Sequence, residues 1–457
     1  MSRPRIAVIG SGVAGLGAAH RLVPCCDVTV FEADARLGGH ANTVDVTLPD
    51  RDGKLITHGV DTGFLVFNER TYPRLIALFA DLGVEVSKSE MTFSVQAPRP
   101  DGSRLEWSGT SLNTVFADRG NLLRPRFHGM LLDLMRFNRL ATGLARRGVG
   151  SELAQPLDEF LAEHRFGTAF IDDYLLPMIG CIWSCSTVQM MRFPVGTLIR
   201  FCHNHGLLQV RERPQWFTVT GGSRRYVDKL ASRIGQVRLA TPVLAVARDL
   251  SREAGFGATH GGRVSVRTRD GIEWFDDVVM ATHAPQTLGM LADASADERH
   301  TLGAIGYQDN EAVLHTDEAL LPRRRAAWAA WNYDRDVIAG SNSQNVCLHY
   351  LLNQLQPLPW TQPVIVSLNP LRAPREATVL RRITYAHPVF DNAAIAAQGR
   401  LPGLQGLSHV WFCGAWTGYG FHEDGLKSGQ QVADRILARL AASVPAGADA
   451  PALLEAA

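Results

Sequence analysis

The feature that most constrains this chain is a glycine-rich turn set between a strand and a helix at its N-terminus. Arg5-Ile6-Ala7-Val8-Ile9 is an apolar run suited to a buried parallel strand. It enters Gly10-Ser11-Gly12-Val13-Ala14-Gly15 directly, and Leu16 to Leu22 reads as a helix. Gly-x-Gly-x-x-Gly in that context is a dinucleotide cradle. Gly10 makes the tight turn, Gly12 lets the backbone approach a pyrophosphate, and Gly15 lets helix and strand pack closely, with Ala14 in the helix end that faces the anion. A second apolar strand, Val28 to Phe31, ends at Glu32. A carboxylate there accepts hydrogen bonds from ribose hydroxyls and repels a 2′-phosphate, which disfavours NADP. The expected fold class is therefore α/β, with a Rossmann-like domain at the start of the chain.

Ala33-Asp34-Ala35-Arg36-Leu37-Gly38-Gly39-His40 follows. A guanidinium pairs bidentately with phosphate, and paired glycines let the chain pass close to a cofactor. Far downstream, His409 to Thr417 reads as a buried strand ending at Gly414. Gly420-Phe421-His422-Glu423-Asp424-Gly425-Leu426-Lys427-Ser428-Gly429 then leads into a helix. Together these two ends resemble the amine-oxidase-like flavoprotein superfamily, which includes monoamine and polyamine oxidases, protoporphyrinogen oxidase and phytoene desaturases. The resemblance implies a glutathione-reductase-type FAD-binding domain with a discontinuous α+β substrate domain, and FAD as the cofactor. It implies cofactor contacts from Glu32, Ala33, Arg36, Gly38, Gly39 and His40, and from Thr62, Gly63 and Phe64 near the isoalloxazine. It further implies contacts from Val243 to the adenine, from Ala281 at a strand-then-proline junction, and from Gly414, Ala415, Asp424, Gly425, Leu426 and Ser428. In that family the C-terminal helix points its positive end at the flavin N1–O2 edge, which stabilises the reduced ring. The sequence has no second Gly-x-Gly-x-x-Gly, so a separate NAD(P)H domain is not expected.

The 457 residues suffice for two domains. The resemblance places the FAD-binding domain at 1–75, 215–290 and 395–440, and the substrate domain at 76–214 and 291–394. An Ala/Pro-rich tail at 441–457 reads as disordered. A formal net charge of +1 argues against nucleic acid as a partner. No stretch reaches the ~18 apolar residues of a spanning helix, and the chain enters a strand with no signal peptide, so a cytoplasmic location is expected. The seven cysteines show no framework spacing and are expected as thiols. Cys181, Cys185, Cys202, His203 and His205 lack metal-ligand spacing, so no metal is expected. Residues 111–147 read as basic and helical with one apolar side; packing on the core is preferred to contact with an anionic membrane. Residues 153–210 are apolar and rich in Met and aromatics, which suits a core or a pocket for a greasy ligand. Arg323-Arg324-Arg325 with Trp328 and Trp331 reads as a solvated loop rather than a lipid contact.

His422 and Glu423 are the catalytic candidates, because they lie in the loop that should reach the flavin and histidine titrates near neutral pH. The alternative is that they only fix this loop through backbone hydrogen bonds. Three departures separate the chain from amine oxidases. It has no lysine between residues 230 and 426, where those enzymes carry one. Glu423-Asp424-Gly425 replaces their Glu-Gly-Ala. Nothing near Cys413 looks like a flavin-attachment signature, so FAD is expected to be non-covalent. Gly-Phe-His-Glu-Asp-Gly with Gly180-Cys181-Ile182-Trp183-Ser184 is most similar to a bacterial subgroup whose genes often neighbour cyclopropane-fatty-acyl-phospholipid synthase-like methyltransferases. That resemblance implies desaturation of a methyl-branched acyl chain of a membrane lipid toward a furan fatty acid, with hydride passing to flavin N5. It also leaves room for peripheral contact with the inner face of the membrane and for a methyltransferase partner. Two alternatives stand: an amine oxidase, and a flavoprotein that partners a lipid methyltransferase without turnover. Oligomeric state is open.

Overall fold

A computed structural model describes residues 3–99, 101–148, 155–183, 190–209, 213–249, 263–335 and 347–442. Its centre is a five-stranded parallel sheet in the order 236–238, 27–31, 5–9, 277–280, 410–412. Strand Arg5–Ile9 pairs with Asp27–Phe31 on one side and Asp277–Met280 on the other, with Val8 opposite both Val30 and Val279. Both faces are covered, which is why these strands are apolar throughout rather than alternating. Ile6, Ala7, Val8, Val30, Val278 and Val279 are fully buried. Val410–Phe412 completes the sheet beside Asp277–Met280, so the two ends of the chain share one core.

The helices Val13–Leu22 and His422–Ala442 lie side by side on this sheet. Small residues set their separation. A β-carbon at Gly17 would stand 2.5 Å from Leu426 Cδ1, and one at Gly425 would stand 2.8 Å from Val13 Cγ1.

The second large sheet has seven strands, in the order 379–388, 307–315, 365–368, 347–351, 331–334, 93–98, 104–108. Only the pairing of Trp331–Asp334 with Phe93–Pro98 is parallel. One face carries Val95, Tyr333, Leu348 and Val366 into the main core. The alternate positions Gln96, Asn332, His349 and Ser367 are buried too, but polar. Strand Tyr307–His315 was not legible in the sequence, because its first five residues, Tyr-Gln-Asp-Asn-Glu, show no apolar alternation. It forms because strands on both sides satisfy its backbone.

Helices Pro125–Arg147, Leu157–Glu163, Leu176–Trp183 and Val195–Asn204 form the helical part of the chain. Phe127, Met130, Phe137, Ala141 and Leu144 of the first are buried, as an amphipathic helix serving the core requires.

Two expected boundaries fall differently in the packing. The boundary at 75/76 cuts helix Pro73–Leu82, which packs as one unit beside the C-terminal helix. Leu302 and Ile305, beyond the boundary at 290, share a buried cluster with Ile9, Phe31, Met280 and Phe412 on the back of the parallel sheet. The tail after residue 442 lies outside the described residues.

Candidate cofactor and active site

The glycine turn divides its residues into two kinds. Gly10 has φ +100°, and a β-carbon there would lie 2.7 Å from the Ala281 carbonyl oxygen. At Gly15 it would lie 2.0 Å from the Gly10 carbonyl oxygen. These two are filled by protein. At Gly12, by contrast, no protein atom comes within 4 Å of the built β-carbon position. Gly12 caps the helix Val13–Leu22 without any side-chain hydrogen bond, so the positive end of that helix opens onto free space. Gly39, at φ +57°, lies against this turn: a β-carbon there would stand 3.3 Å from Gly12 Cα. Gly38 is fastened beneath it by hydrogen bonds from its amide to the Ser11 carbonyl (3.1 Å) and hydroxyl (3.3 Å).

Glu32 accepts from the Ser11 amide (2.9 Å) and hydroxyl (2.5 Å) through one oxygen and from the Asp34 amide (2.9 Å) through the other. Ala33 is exposed beside it. The Thr241 amide donates to the Glu32 carbonyl at 2.8 Å, which brings Val243 to this edge of the sheet. Arg36 donates only to the Leu37 carbonyl, at 3.3 Å, and forms no ion pair among the described residues.

The segments 40–42 and 62–64 are laced together. The Phe64 amide donates to the His40 carbonyl at 2.8 Å, and a β-carbon at Gly63 would sit 2.3 Å from that same oxygen. Thr62 bonds the Asn42 carbonyl (3.0 Å) and the Tyr385 hydroxyl (2.8 Å). His40 stacks on Tyr385 at 4.9 Å, with His387 at 5.3 Å and His283 at 6.3 Å. Burial, and then the neighbouring histidines, hold the His40 pKa well below the ordinary value. Its Nε2 is buried with no hydrogen-bond partner, an arrangement that asks for a polar group from a ligand.

Asp61 is a structural carboxylate. It accepts from the Ser223 amide (2.9 Å), the Ser223 hydroxyl (2.7 Å) and the Thr43 hydroxyl (2.6 Å), and so anchors the Gly221-Gly222 turn. Burial raises its pKa to about 6.

At the C-terminal end, Ser428 Oγ accepts from the Gly414 amide (2.9 Å) and donates to the Gly425 carbonyl (2.8 Å), which ties the strand end to the helix. Ala415 packs beside Gly425. Asp424 accepts from the Tyr419 and Phe421 amides at 3.1 and 3.0 Å and shapes the loop before the helix. Burial lifts its pKa to about 6.

The two catalytic candidates part company here. Glu423 is engaged by backbone, the alternative the sequence left open: its two oxygens accept from the Arg74 and Leu75 amides, at 2.9 and 3.0 Å. A carboxylate so placed caps the helix Pro73–Leu82, whose first amides have no partner within the helix. His422 stacks on Phe64 at 3.9 Å and 11° and meets the Tyr226 hydroxyl at 2.5 Å. Burial pushes its pKa down to about 3 and that of Tyr226 well above 10, so both are neutral at physiological pH. The Tyr226 oxygen and His422 Nε2 share one hydrogen bond, which together with the Phe64 stack fixes the orientation of the ring. His422 is thus a neutral, oriented imidazole and not the group titrating near pH 7 that the sequence suggested.

Tyr226, Tyr385, Asn42, His283 and His387 escaped the sequence reading. Tyr226 occupies an apolar position of the helix Arg224–Ala231, 196 residues from its partner, and no local pattern marks it. Of the cysteine and histidine group at 181–205, Cys185 lies outside the described residues. Cys181 and Cys202 are buried thiols, and His205 bonds the Phe201 carbonyl at 3.0 Å. Asp334, Cys347 and His349 form the one cluster of metal-ligand type among the described residues. Burial opposes protonation of His349, yet Cys347 and Asp334 hold its imidazole up to about 9.

The sequence model of the family described as flavin containing amine oxidoreductase matches residues 13–313. The chain belongs to this family. It has the fold of a fatty acid isomerase from P. acnes (TM-score 0.64, 16% identity, 94% of this chain and 98% of that one). It shares that fold with a putrescine oxidase variant (0.65, 15%, 96% and 100%) and with a cyclohexylamine oxidase from Brevibacterium oxydans (0.65, 16%, 96% and 99%). No curated protein matches the sequence. This family member is an FAD-dependent oxidoreductase with a Rossmann-like FAD-binding domain.

The residues present fit that cofactor. The opening at Gly12, the helix end behind it, Gly39, the unpaired Arg36 and the orphaned His40 nitrogen would hold FAD, with Glu32 available to the ribose. Bound FAD supplies a two-electron acceptor. The chain's own residues are fixed at this end: Phe64 and Tyr226 hold His422, Asp424 holds the loop 419–421, and Glu423 holds the neighbouring helix.

Proposed function

We propose that this oxidoreductase dehydrogenates a hydrophobic acyl substrate, a methyl-branched fatty acyl chain of a membrane lipid, on the way to a furan fatty acid. One observation carries the reading: the loop leading into His422 is walled by aromatic side chains. The Phe421 ring stacks on Phe201 at 5.0 Å, Phe201 lies 4.6 Å from Trp183, and Trp183 lies 5.0 Å from Phe193. The Trp183 indole donates to the Tyr419 carbonyl. A wall of this kind suits an alkyl chain, whose burial is driven by apolar area alone. The absence of any lysine between residues 230 and 426 weighs against amine oxidation. The shared fold with a fatty acid isomerase is consistent with an acyl ligand.

In this reading FAD is bound non-covalently, and His422, held through Nε2, positions the reacting segment. Cys413, the cysteine nearest the flavin loop in sequence, is fully buried, and burial raises its thiol to about 12, which is poor chemistry for covalent attachment. The test is anaerobic flavin bleaching with methyl-branched phospholipid, with free fatty acid and with amines. Bleaching by the lipid supports the proposal. Bleaching by amines alone overturns it in favour of an amine oxidase. An unchanged acyl profile in cells lacking the gene would remove the lipid role.

A further inference from the structure

Twelve large apolar side chains are exposed among the described residues, and five of them fall between 112 and 135. They are Leu112 (80% exposed), Leu122, Leu123 (87%), Leu132 and Met135. Exposed leucines scattered singly need no explanation; clustered ones do.

The three elements that carry them are stitched into one surface. Arg119 donates to Asn113 Oδ1, joining the turn Arg119–Leu123 to the short helix Leu112–Val115. His128 Nε2 bonds the Leu122 carbonyl at 2.9 Å, joining that turn to the first turns of helix Pro125–Arg147. Along this helix His128, Leu132, Met135 and Arg139 recur at helical spacing and are all exposed. The opposite side, Phe127, Met130, Phe137 and Ala141, is buried. The helix therefore serves the core with one face and leaves a second apolar strip unpartnered.

Charge says what covers that strip. Residues 112–148 contain seven arginines against two aspartates. Asp118 is buried with Arg99 and Arg324, and Asp133 is engaged by Arg136 and the Gly167 amide. Arg124 and Arg126 also have carboxylate partners. Arg119, Arg139, Arg146 and Arg147 form no ion pair among the described residues and are exposed. An arginine-rimmed apolar strip lying along the surface is the composition that enters the headgroup layer of an anionic bilayer.

We infer that the surface of residues 112–139 docks this protein on an anionic phospholipid membrane, Leu122, Leu123 and Leu132 entering the acyl boundary and the arginines meeting phosphate headgroups. The same helix packs on the helices Thr168–Phe170 and Val195–Asn204 with its buried face, so the dock backs the helical layer that carries Phe201. The inference takes its purpose from the acyl-chain reading, but its test does not depend on that chemistry.

The test is co-sedimentation of the FAD-loaded protein with vesicles of phosphatidylcholine alone and of phosphatidylcholine with phosphatidylglycerol. Binding to the anionic vesicles that weakens with salt is expected. Leu122→Asp/Leu123→Asp should reduce it by about tenfold or more, since each leucine loses its apolar transfer. Arg139→Glu/Arg146→Glu should reduce it on anionic vesicles only. Retained flavin absorbance and an unchanged melting curve show that the variants fold. Absence of binding, or equal binding by the Leu→Asp protein, overturns the inference. So does a solution dimer that the same variant dissociates, which would assign the surface to a second copy. Flavin bleaching by detergent-dispersed lipid with no vesicle binding would sink the dock and leave the acyl chemistry standing.

Discussion

Gly429 of the C-terminal helix lies directly against Ala14 of the N-terminal helix: a β-carbon at 429 would stand 2.0 Å from the Ala14 carbonyl oxygen. Backbone cannot retreat from that contact as a flexible side chain can. Gly429→Val should therefore cost at least the ~1–3 kcal/mol of an overpacked core and loosen FAD with it. Thermal unfolding and flavin retention on gel filtration measure both, and a wild-type melting curve would refute the packing.

Gly12 and Gly15 should behave oppositely. Gly12→Val places its β-carbon where no protein atom comes within 4 Å, so the protein should fold with a near-normal melting curve yet purify colourless. Gly15→Val meets the Gly10 carbonyl oxygen at 2.0 Å and should fail to fold stably. Equal flavin occupancy in Gly12→Val and wild type would show that the opening is not the cofactor's.

Glu423→Ala removes the acceptor for the Arg74 and Leu75 amides. A loss of about 1–2 kcal/mol in denaturant unfolding is expected, with the rate of flavin reduction nearly unchanged in the protein that remains folded. A rate that collapses without loss of stability would restore a catalytic role.

His422→Ala should slow flavin reduction while FAD stays bound, and Tyr226→Phe should do the same to a smaller degree, since it removes the hydrogen bond that orients the ring through Nε2. Because His422 stays neutral down to about pH 3, no inflection near pH 6.5 that belongs to it should appear in the rate profile. An inflection lost in His422→Ala would contradict the buried, neutral imidazole.

Several buried histidines share that sign. Burial lowers His205, His315 and His387 to about 4. Each is neutral in the native state and takes up a proton on unfolding below its ordinary 6.5. The unfolded state binds more protons there, so stability falls as pH drops from about 6.5 toward 4, by at most ~1.4 kcal/mol per pH unit for each such histidine. His349, raised to about 9, acts in the opposite sense and loses its contribution only above pH 6.5. Asp61 and Asp424, raised to about 6, gain stability below that pH and offset part of the slope, so urea unfolding at pH 7 and pH 5 is compared between wild type and His387→Gln; a slope unchanged by the substitution would show that this ring is hydrated.

The sequence by itself determined the two ends of the protein. A parallel strand buried on both faces needs an unbroken apolar run, and a turn that meets a phosphate needs glycine, so Arg5–Ile9, Gly10 to Gly15, Glu32 and the strand ending at Gly414 are legible residue by residue. The basic character of 111–147 was legible as well; which leucines face outward and which carboxylates are engaged were not, because one amphipathic helix can carry two apolar strips and only packing decides which is covered. What the tertiary structure alone decided are the long-range pairings. Glu423 becomes a helix cap because the amides of residues 74 and 75 stand before it. His422 becomes a neutral ring because Phe64 and Tyr226 enclose it. Asp61 becomes an anchor because Ser223 reaches it. A side chain's protonation and role depend on the groups folded against it, and those come from segments a hundred or more residues away, where no spacing rule reaches.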